Sequence, residues 1–183
     1  MKYCSNCGAP VELKIPSGDS RERHVCDQCK TIHYQNPRVI ACCIPTHQDQ
    51  VLLCKRAIEP REGFWTVPGG FLENGETSMQ GALRECYEEA LATISNPILS
   101  ALYDIPQINQ VYVFYRGELA NMNFGAGDES HHTDLFNEQQ VPWELLAFPV
   151  IELALHNYFE DLKSGSFKVH SGHLEFPWKA IRS

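Results

Sequence analysis

The sequence predicts an α/β protein, on three observations: short apolar runs of strand character, longer stretches with helical spacing, and the interleaving of the two along the chain. Val39–Ile44 and Val51–Cys54 are the first strand-like runs, joined by a polar turn over His47 to Gln50. Thr77-x-x-Gln80 has the form of a capping box. It opens a helix that runs through Ala82, Leu83, Cys86 and Ala90 to about Leu91. Val111 to Glu118, rich in Val, Tyr and Phe, reads as a further strand, and Asn121 to Asp128 as a turn-rich loop. A last amphipathic helix over 150–163 aligns Ile151, Ala154, Leu155, Tyr158 and Leu162, then stops at Gly165. No repeat of solenoid period and no low-complexity segment interrupts this order.

A chain of 183 residues with 43% hydrophobic content supplies one substantial core. Residues 1–35 stand apart from it. They are polar and punctuated by Gly8, Pro10, Pro16 and Gly18, so they cannot build an apolar core of their own. The expected division is therefore a small module over 1–35 and a main domain over 36–183. Cys4-x-x-Cys7 and Cys26-x-x-Cys29, eighteen residues apart, tell what holds the module together. Each pair bends the chain so that two thiolates converge on one tetrahedral ion, which is the pattern of a zinc ribbon. A redox role would need a thioredoxin-like βαβ setting, and none surrounds either pair. His24 and His33 lie near enough to compete as ligands, but the four cysteines complete the set without them. An all-cysteine site is closed, hence structural. The other four cysteines sit in apolar or helical contexts and read as reduced thiols.

A net charge of -8, with no basic cluster, argues against broad electrostatic binding to nucleic acid. If the substrate is a phosphate compound, metal ions must bring most of the positive charge. No apolar run approaches the roughly 20 residues needed to cross a bilayer, and Met1-Lys2-Tyr3-Cys4 lacks the layout of a signal peptide. The expected location is cytoplasmic, with no membrane partner.

The chemistry is concentrated in Gly70-Phe-Leu-Glu-Asn-Gly-Glu76, then seven residues, then Arg84-Glu85-Cys86-Tyr87-Glu88-Glu89. On a helix Glu85, Glu88 and Glu89 fall at i, i+3 and i+4, so three carboxylates share one face. Like charges held that close are tolerated mainly when a cation neutralises them. All-oxygen ligands select a hard ion, magnesium or manganese. The plain alternative is a solvated acidic helix face. Glu76 and Arg84 are spaced to form an ion pair that locks the preceding loop onto the helix. Gly69 and Gly70 permit a tight turn whose carbonyl points at the metal.

These residues resemble the Nudix signature G-x5-E-x7-R-E-U-x-E-E-x-G-U, where U is a bulky aliphatic. Gly70, Glu76, Arg84, Glu85, Glu88 and Glu89 match it, and Phe64-Trp-Thr-Val-Pro-Gly-Gly70 is similar to the strand that precedes it. The chain departs from the pattern at Cys86, at Ala92 and at Leu91, which stands where the signature has glycine. The resemblance implies an α/β/α sandwich with a mixed sheet, preceded by the zinc ribbon. It implies magnesium-dependent attack of water on the diphosphate of a nucleoside diphosphate derivative. The implied magnesium ligands are Glu85, Glu88, Glu89 and the Gly70 carbonyl, with Glu85, Arg84 and Glu76 as the catalytic group. The general base varies in this family, and Glu129 and Glu138 are the later-loop candidates. Homodimers are frequent in it.

For the substrate, Ser100 to Arg116 lacks the S-Q-P-W-P-F-P-x-S motif of NADH pyrophosphatases. This region, with Arg38-Val39, Ala57-Ile-Glu-Pro-Arg61 and Pro142-Trp-Glu-Leu-Leu-Ala-Phe-Pro149, is similar to the ADP-ribose/FAD pyrophosphatase group. The resemblance therefore implies FAD or ADP-ribose, cleaved to release AMP. Tyr103, Tyr112 and Tyr115 are the candidates for stacking on its rings, although aromatics in strands more often serve the core. NADH or NAD cleavage and RNA processing are the enzymatic alternatives, and a catalytically silent Nudix-fold sensor is the non-enzymatic one.

Overall fold

Alternation along the strand Arg38–His47 decides the architecture. Ile40, Cys42 and Ile44 pack into one apolar cluster and Ala41 and Cys43 into another, so both faces of this strand are buried. Such a strand needs cover on each side of its sheet. In the computed structural model, which describes residues 1–175 and 179–182, that cover is one helix per face. The chain divides into two units, Met1–Pro37 and Arg38–Ser183.

The second unit is built on nine strands: β4 (Arg38–His47), β5 (Gln50–Arg56), β6 (Trp65–Thr66), β7 (Gly69–Phe71), β8 (Ile94–Ile105), β9 (Gln110–Leu119), β10 (Ser130–Phe136), β11 (His170–Glu175) and β12 (Lys179–Arg182). Their order is β10-β5-β4-β9-β8-β11-β12, with β6 on β5 and β7 on β4. The sheet is mixed. β4 runs parallel to β9, β8 is antiparallel to β9, and β11 returns parallel to β8. Helix α1 (Ser78–Ala90) packs Ala82, Cys86 and Ala90 against Ala41, Cys43, Leu52 and Tyr115. Helix α2 (Pro149–Ser164) packs Ile151, Leu155 and Phe159 against Ile44, Leu53 and Phe114 on the other face. The α/β/α sandwich with a mixed sheet follows.

Local chemistry sets the helix ends. Thr77 Oγ1 accepts from the Gln80 amide at 3.2 Å and Gln80 Oε1 accepts from the Thr77 amide at 2.8 Å, closing the capping box. Gly165, at φ 67°, ends α2 in the left-handed conformation that glycine adopts without strain. At the end of α1 the same conformation, φ 48° and ψ 25°, falls on Leu91. No helix among the described residues is long and apolar enough to cross a membrane.

β8 carries no clear alternating signature because register shifts at Ser95/Ile98 and Leu99/Ala101 interrupt its pairing with β9. Such irregularities break the period of two on which strand recognition rests. β10 and β11 carry several polar residues, including His131, His132, His170 and His173, and so offer no apolar run either.

The first unit is a three-stranded sheet of β1 (Val11–Lys14), β2 (Arg23–Cys26) and β3 (Ile32–His33). The thiols of Cys4, Cys7, Cys26 and Cys29 all lie within 4.8 Å of one another. Four sulfurs converging in a coreless segment fit a tetrahedral zinc. His33 Nε2 stands 3.2 Å from Cys4 Sγ, a hydrogen-bond partner of the sulfur outside the cluster, while His24 faces the amino group of Met1 at 3.4 Å. Protein purified without chelator should carry about one zinc per chain. Cys26→Ser should lose the ion and collapse the amide resonances of residues 1–37 while those of α1 stay in place. Elemental analysis and a proton–nitrogen correlation spectrum check both, and zinc-free protein with an intact first unit would refute the assignment.

Candidate active site

The helical spacing of α1 gives its three glutamates very different surroundings. Glu88 is mostly exposed, the Glu85 side chain is 13% exposed, and Glu89 is buried against the sheet. Burial pushes the Glu85 carboxyl above the usual range. Burial does the same to Glu89 more strongly, with the charges of Glu85 and Glu129 adding to it, and its carboxyl is pushed up to about 7. The Gly69 amide donates to Glu89 Oε2 at 3.0 Å and opposes that rise.

Arg84 organises the exposed side of this face. Its Nε and Nη2 donate to the two oxygens of Glu76 at 3.1 and 2.8 Å, a bidentate pair. Nη2 also donates to the Phe71 carbonyl at 3.1 Å, so the loop between β7 and α1 is tied to the helix. Nη1 donates to Glu85 Oε1 at 2.6 Å and Glu88 Oε2 at 3.0 Å. The guanidinium holds Glu76 below the usual carboxylate range, aided by the Glu73 amide.

Two glycines act through closeness. Gly69 and Gly70 do not form the tight turn expected from the sequence. They lie in β7, paired with Cys42 and Ala41 of β4. A Cβ on Gly70 would come within 2.5 Å of Glu85 Oε1, so its missing side chain is the space that the carboxylate occupies. Gly127 plays the same part at the far end of α1, where a Cβ would overlap the Glu88 carbonyl oxygen. The Gly125 and Gly127 amides donate to the carbonyls of Ala90 and Glu89 at 2.9 and 3.0 Å. The 121–128 loop thus satisfies helix-end carbonyls that have no partner within the helix.

Around these elements opens a cleft of about 800 Å³. Glu59, Glu73, Glu85, Glu88, Glu89, Asp128 and Glu129 line it, seven carboxylates, against the one guanidinium of Arg56. Ile40, Phe71 and Tyr112 provide apolar surface, and Gly70 lies on the wall. Of the three tyrosines named from the sequence only Tyr112 lines the cleft, its hydroxyl donating to Gln110 Oε1 at 3.1 Å. Tyr103 is instead in the core beneath α2, where Asn157 Nδ2 donates to its hydroxyl at 2.5 Å. Tyr115 packs under α1 and shares a hydrogen bond with Ser78 at 2.8 Å. Side chains alternate between the two faces along a strand, so Tyr112 and Tyr115, three apart on β9, lie under opposite helices, and the pairing register that decides which face meets the cleft is not written in the sequence. Glu129 reaches the cleft. Glu138 does not, being ion-paired to Lys163 at 2.6 Å. Arg56, Asp128, Tyr87 and Leu91 also line the cleft; the sequence marked Leu91 only as a departure from the signature and assigned the other three no site role, since their place there depends on the tertiary fold.

A family model described as Nudix N-terminal, a zinc ribbon, matches residues 2–35, and the NUDIX domain model matches residues 36–154. The chain belongs to the Nudix family. A NUDIX hydrolase of known crystal structure from Nitrosomonas europaea is 49% identical, with TM-score 0.91 over 95% of this chain and 99% of that one. An ADP-ribose pyrophosphatase from Streptococcus suis, 18% identical with TM-score 0.61 over 74% of this chain and 99% of that one, shares the fold. Among curated relatives, the NAD-capped RNA hydrolase NudC of Vibrio atlanticus is 34% identical over 97 residues, 52% of this chain and 34% of that protein. That of Photobacterium profundum is 36% identical over 98 residues, again 52% and 34%. The chain thus matches about a third of the length of these relatives.

Two outcomes follow from the geometry. Gly127→Ala should displace the loop from α1, lowering both the melting temperature and turnover, and Gly127→Val should be worse; thermal melts and kinetics check the order. Glu89 supplies a pH dependence to the metal-free protein. Its folded-state value lies above the ordinary carboxylate value, so the stability it gives is full at low pH and is lost as pH rises through the unfolded value toward about 7. Glu89→Gln should remove this loss, making the chelator-treated variant more stable than wild type at pH 8 by up to about 3 kcal/mol and no more stable near pH 4. Denaturant unfolding at the two pH values measures it.

Proposed function

We propose that this chain is a divalent-metal-dependent hydrolase of the diphosphate in nucleoside diphosphate derivatives, with 36–183 as the catalytic unit and 1–35 as a structural zinc module. The observation that carries the reading is the cleft itself: seven carboxylates, three of them from one helix face, opposite a single guanidinium. An anionic substrate enters such a cleft only with cations, and an all-oxygen donor set fits magnesium or manganese. Glu85, Glu88, Glu89 and the carbonyl of Gly70 would hold it. When bound, the ions supply positive charge to the phosphate oxygens and lower the pKa of coordinated water.

Every other part is the protein's own. Arg84 is fully engaged by Glu76, Glu85, Glu88 and Phe71, so it positions carboxylates and does not reach substrate. Glu85 and Glu89 present oxygens from half-dry surroundings, where their charge acts with less screening than in water. Arg56, with its Nε on the Pro60 carbonyl at 2.9 Å, is placed to meet a phosphate oxygen. Glu129 is the proton acceptor best supported for the attacking water: it lines the cleft, and its charge acts on both Glu85 and Glu89.

FAD and ADP-ribose are the substrates this reading favours, cleaved to AMP and the other phosphate. The support is the missing pyrophosphatase motif across Ser100 to Arg116 and a cleft volume suited to a small molecule. A second reading, an NAD-type diphosphate, is favoured by the names of the NudC relatives. Long RNA is disfavoured, because the charge of the cleft is of the wrong sign for a polyphosphate chain. Purified protein with magnesium should cleave FAD or ADP-ribose with kcat/KM at least about tenfold above that for NADH and NAD-capped RNA. NADH as best substrate would select the second reading, and no hydrolysis of any would leave a Nudix-fold binding module. Glu89→Gln should lower kcat by more than about a hundredfold, since even groups that only orient metal ligands are worth roughly 10–100-fold.

A further inference from the structure

Leu91 occupies the left-handed region at φ 48° and ψ 25°, at the position where the Nudix signature has glycine. A leucine there is strained by contact between Cβ and its own backbone, whereas glycine is not. The strain is not offset by burial. Leu91 is 46% exposed and belongs to neither core cluster. Strain retained without packing gain calls for another use of the side chain.

Its surroundings supply one. Leu91 lines the cleft, and so does Tyr87, four residues earlier and one helical turn away on the same side of α1. Tyr87 is 57% exposed, and its hydroxyl has no hydrogen-bond partner among the described residues. Glu88, between them in sequence, lines the same cleft. Ala126 and Gly127, from the loop that clasps the helix end, complete the rim. A large aromatic and a branched aliphatic therefore stand in solvent beside a carboxylate cluster. From this we propose that Tyr87 and Leu91 form a specificity-determining lip that holds a planar heteroaromatic ring joined to the diphosphate. The inference rests on the diphosphatase reading above and deepens it. The ring lies against the Tyr87 phenol and the Leu91 methyls, which removes both from water while the diphosphate sits over the glutamates.

The ring is either the adenine common to ADP-ribose and FAD or the flavin of FAD alone, and the test separates them. Leu91→Gly restores the signature residue and Tyr87→Ala changes an exposed helix position, so both variants should fold, with Leu91→Gly melting at or above the wild-type temperature. Steady-state kinetics with magnesium on ADP-ribose, FAD and NADH should show KM raised about three- to tenfold, the worth of one stack or apolar contact, and raised by more than kcat falls. A rise for all three substrates assigns the lip to adenine, and a rise for FAD alone assigns it to the flavin. KM within twofold of wild type for every substrate in both variants would overturn the lip while leaving the diphosphatase reading intact. A wild-type protein that cleaves none of the three would overturn that reading and the lip with it.

Discussion

Seven carboxylates and one guanidinium in a single cleft form the constraint on which the rest of this structure depends. Burial raises the carboxyls of both Glu85 and Glu89 above the usual range, and the neighbouring charges add to it, Glu88 and Glu129 on the first and Glu85 and Glu129 on the second. The fold therefore keeps them together by means that do not rely on attraction between them. Arg84 bridges Glu76, Glu85 and Glu88, the Gly69 amide fixes Glu89, and glycines at 70 and 127 allow backbone to close in from both ends of α1. The site is a set of like charges held together by the fold.

One strand couples that site to the core. β4 gives Ala41 and Cys43 to the cluster under α1 and Ile40, Cys42 and Ile44 to the cluster under α2. It also pairs with β7, whose Gly69 and Gly70 meet Glu89 and Glu85. Displacing β4 would thus move the carboxylates and both cores together. The close approach of Gly69 to Cys42, where a Cβ would lie 2.6 Å from its sulfur, leaves no slack in that contact. At the other end of α1 the tolerance is different. Leu91 departs from the family's glycine and bends the chain at some strain, yet the helix stops there: Leu91 itself takes the left-handed cap, its amide donating to the Tyr87 carbonyl at 2.8 Å, while the Gly125 and Gly127 amides meet the carbonyls of Ala90 and Glu89.

What the sequence by itself determined is whatever is encoded by local spacing. The turn of the helix puts Glu85, Glu88 and Glu89 on one face, the capping box starts α1, Gly165 ends α2, and two CxxC pairs specify a four-sulfur site. The Glu76–Arg84 pair was legible too, Glu76 lying just before the helix and Arg84 about two turns along. What only the tertiary structure decided is whatever depends on register and on loops returning from far along the chain. Tyr103 and Tyr112 are paired across β8 and β9 and share the buried cluster beneath α2, yet only Tyr112 also lines the cleft. Glu129 and Glu138 are nine residues apart and equally acidic, and only the path of β10 sends the first to the cleft and the second to Lys163. The role of Gly70 changed from a turn to a vacancy for Glu85, because close approach between distant segments leaves no periodic trace in sequence.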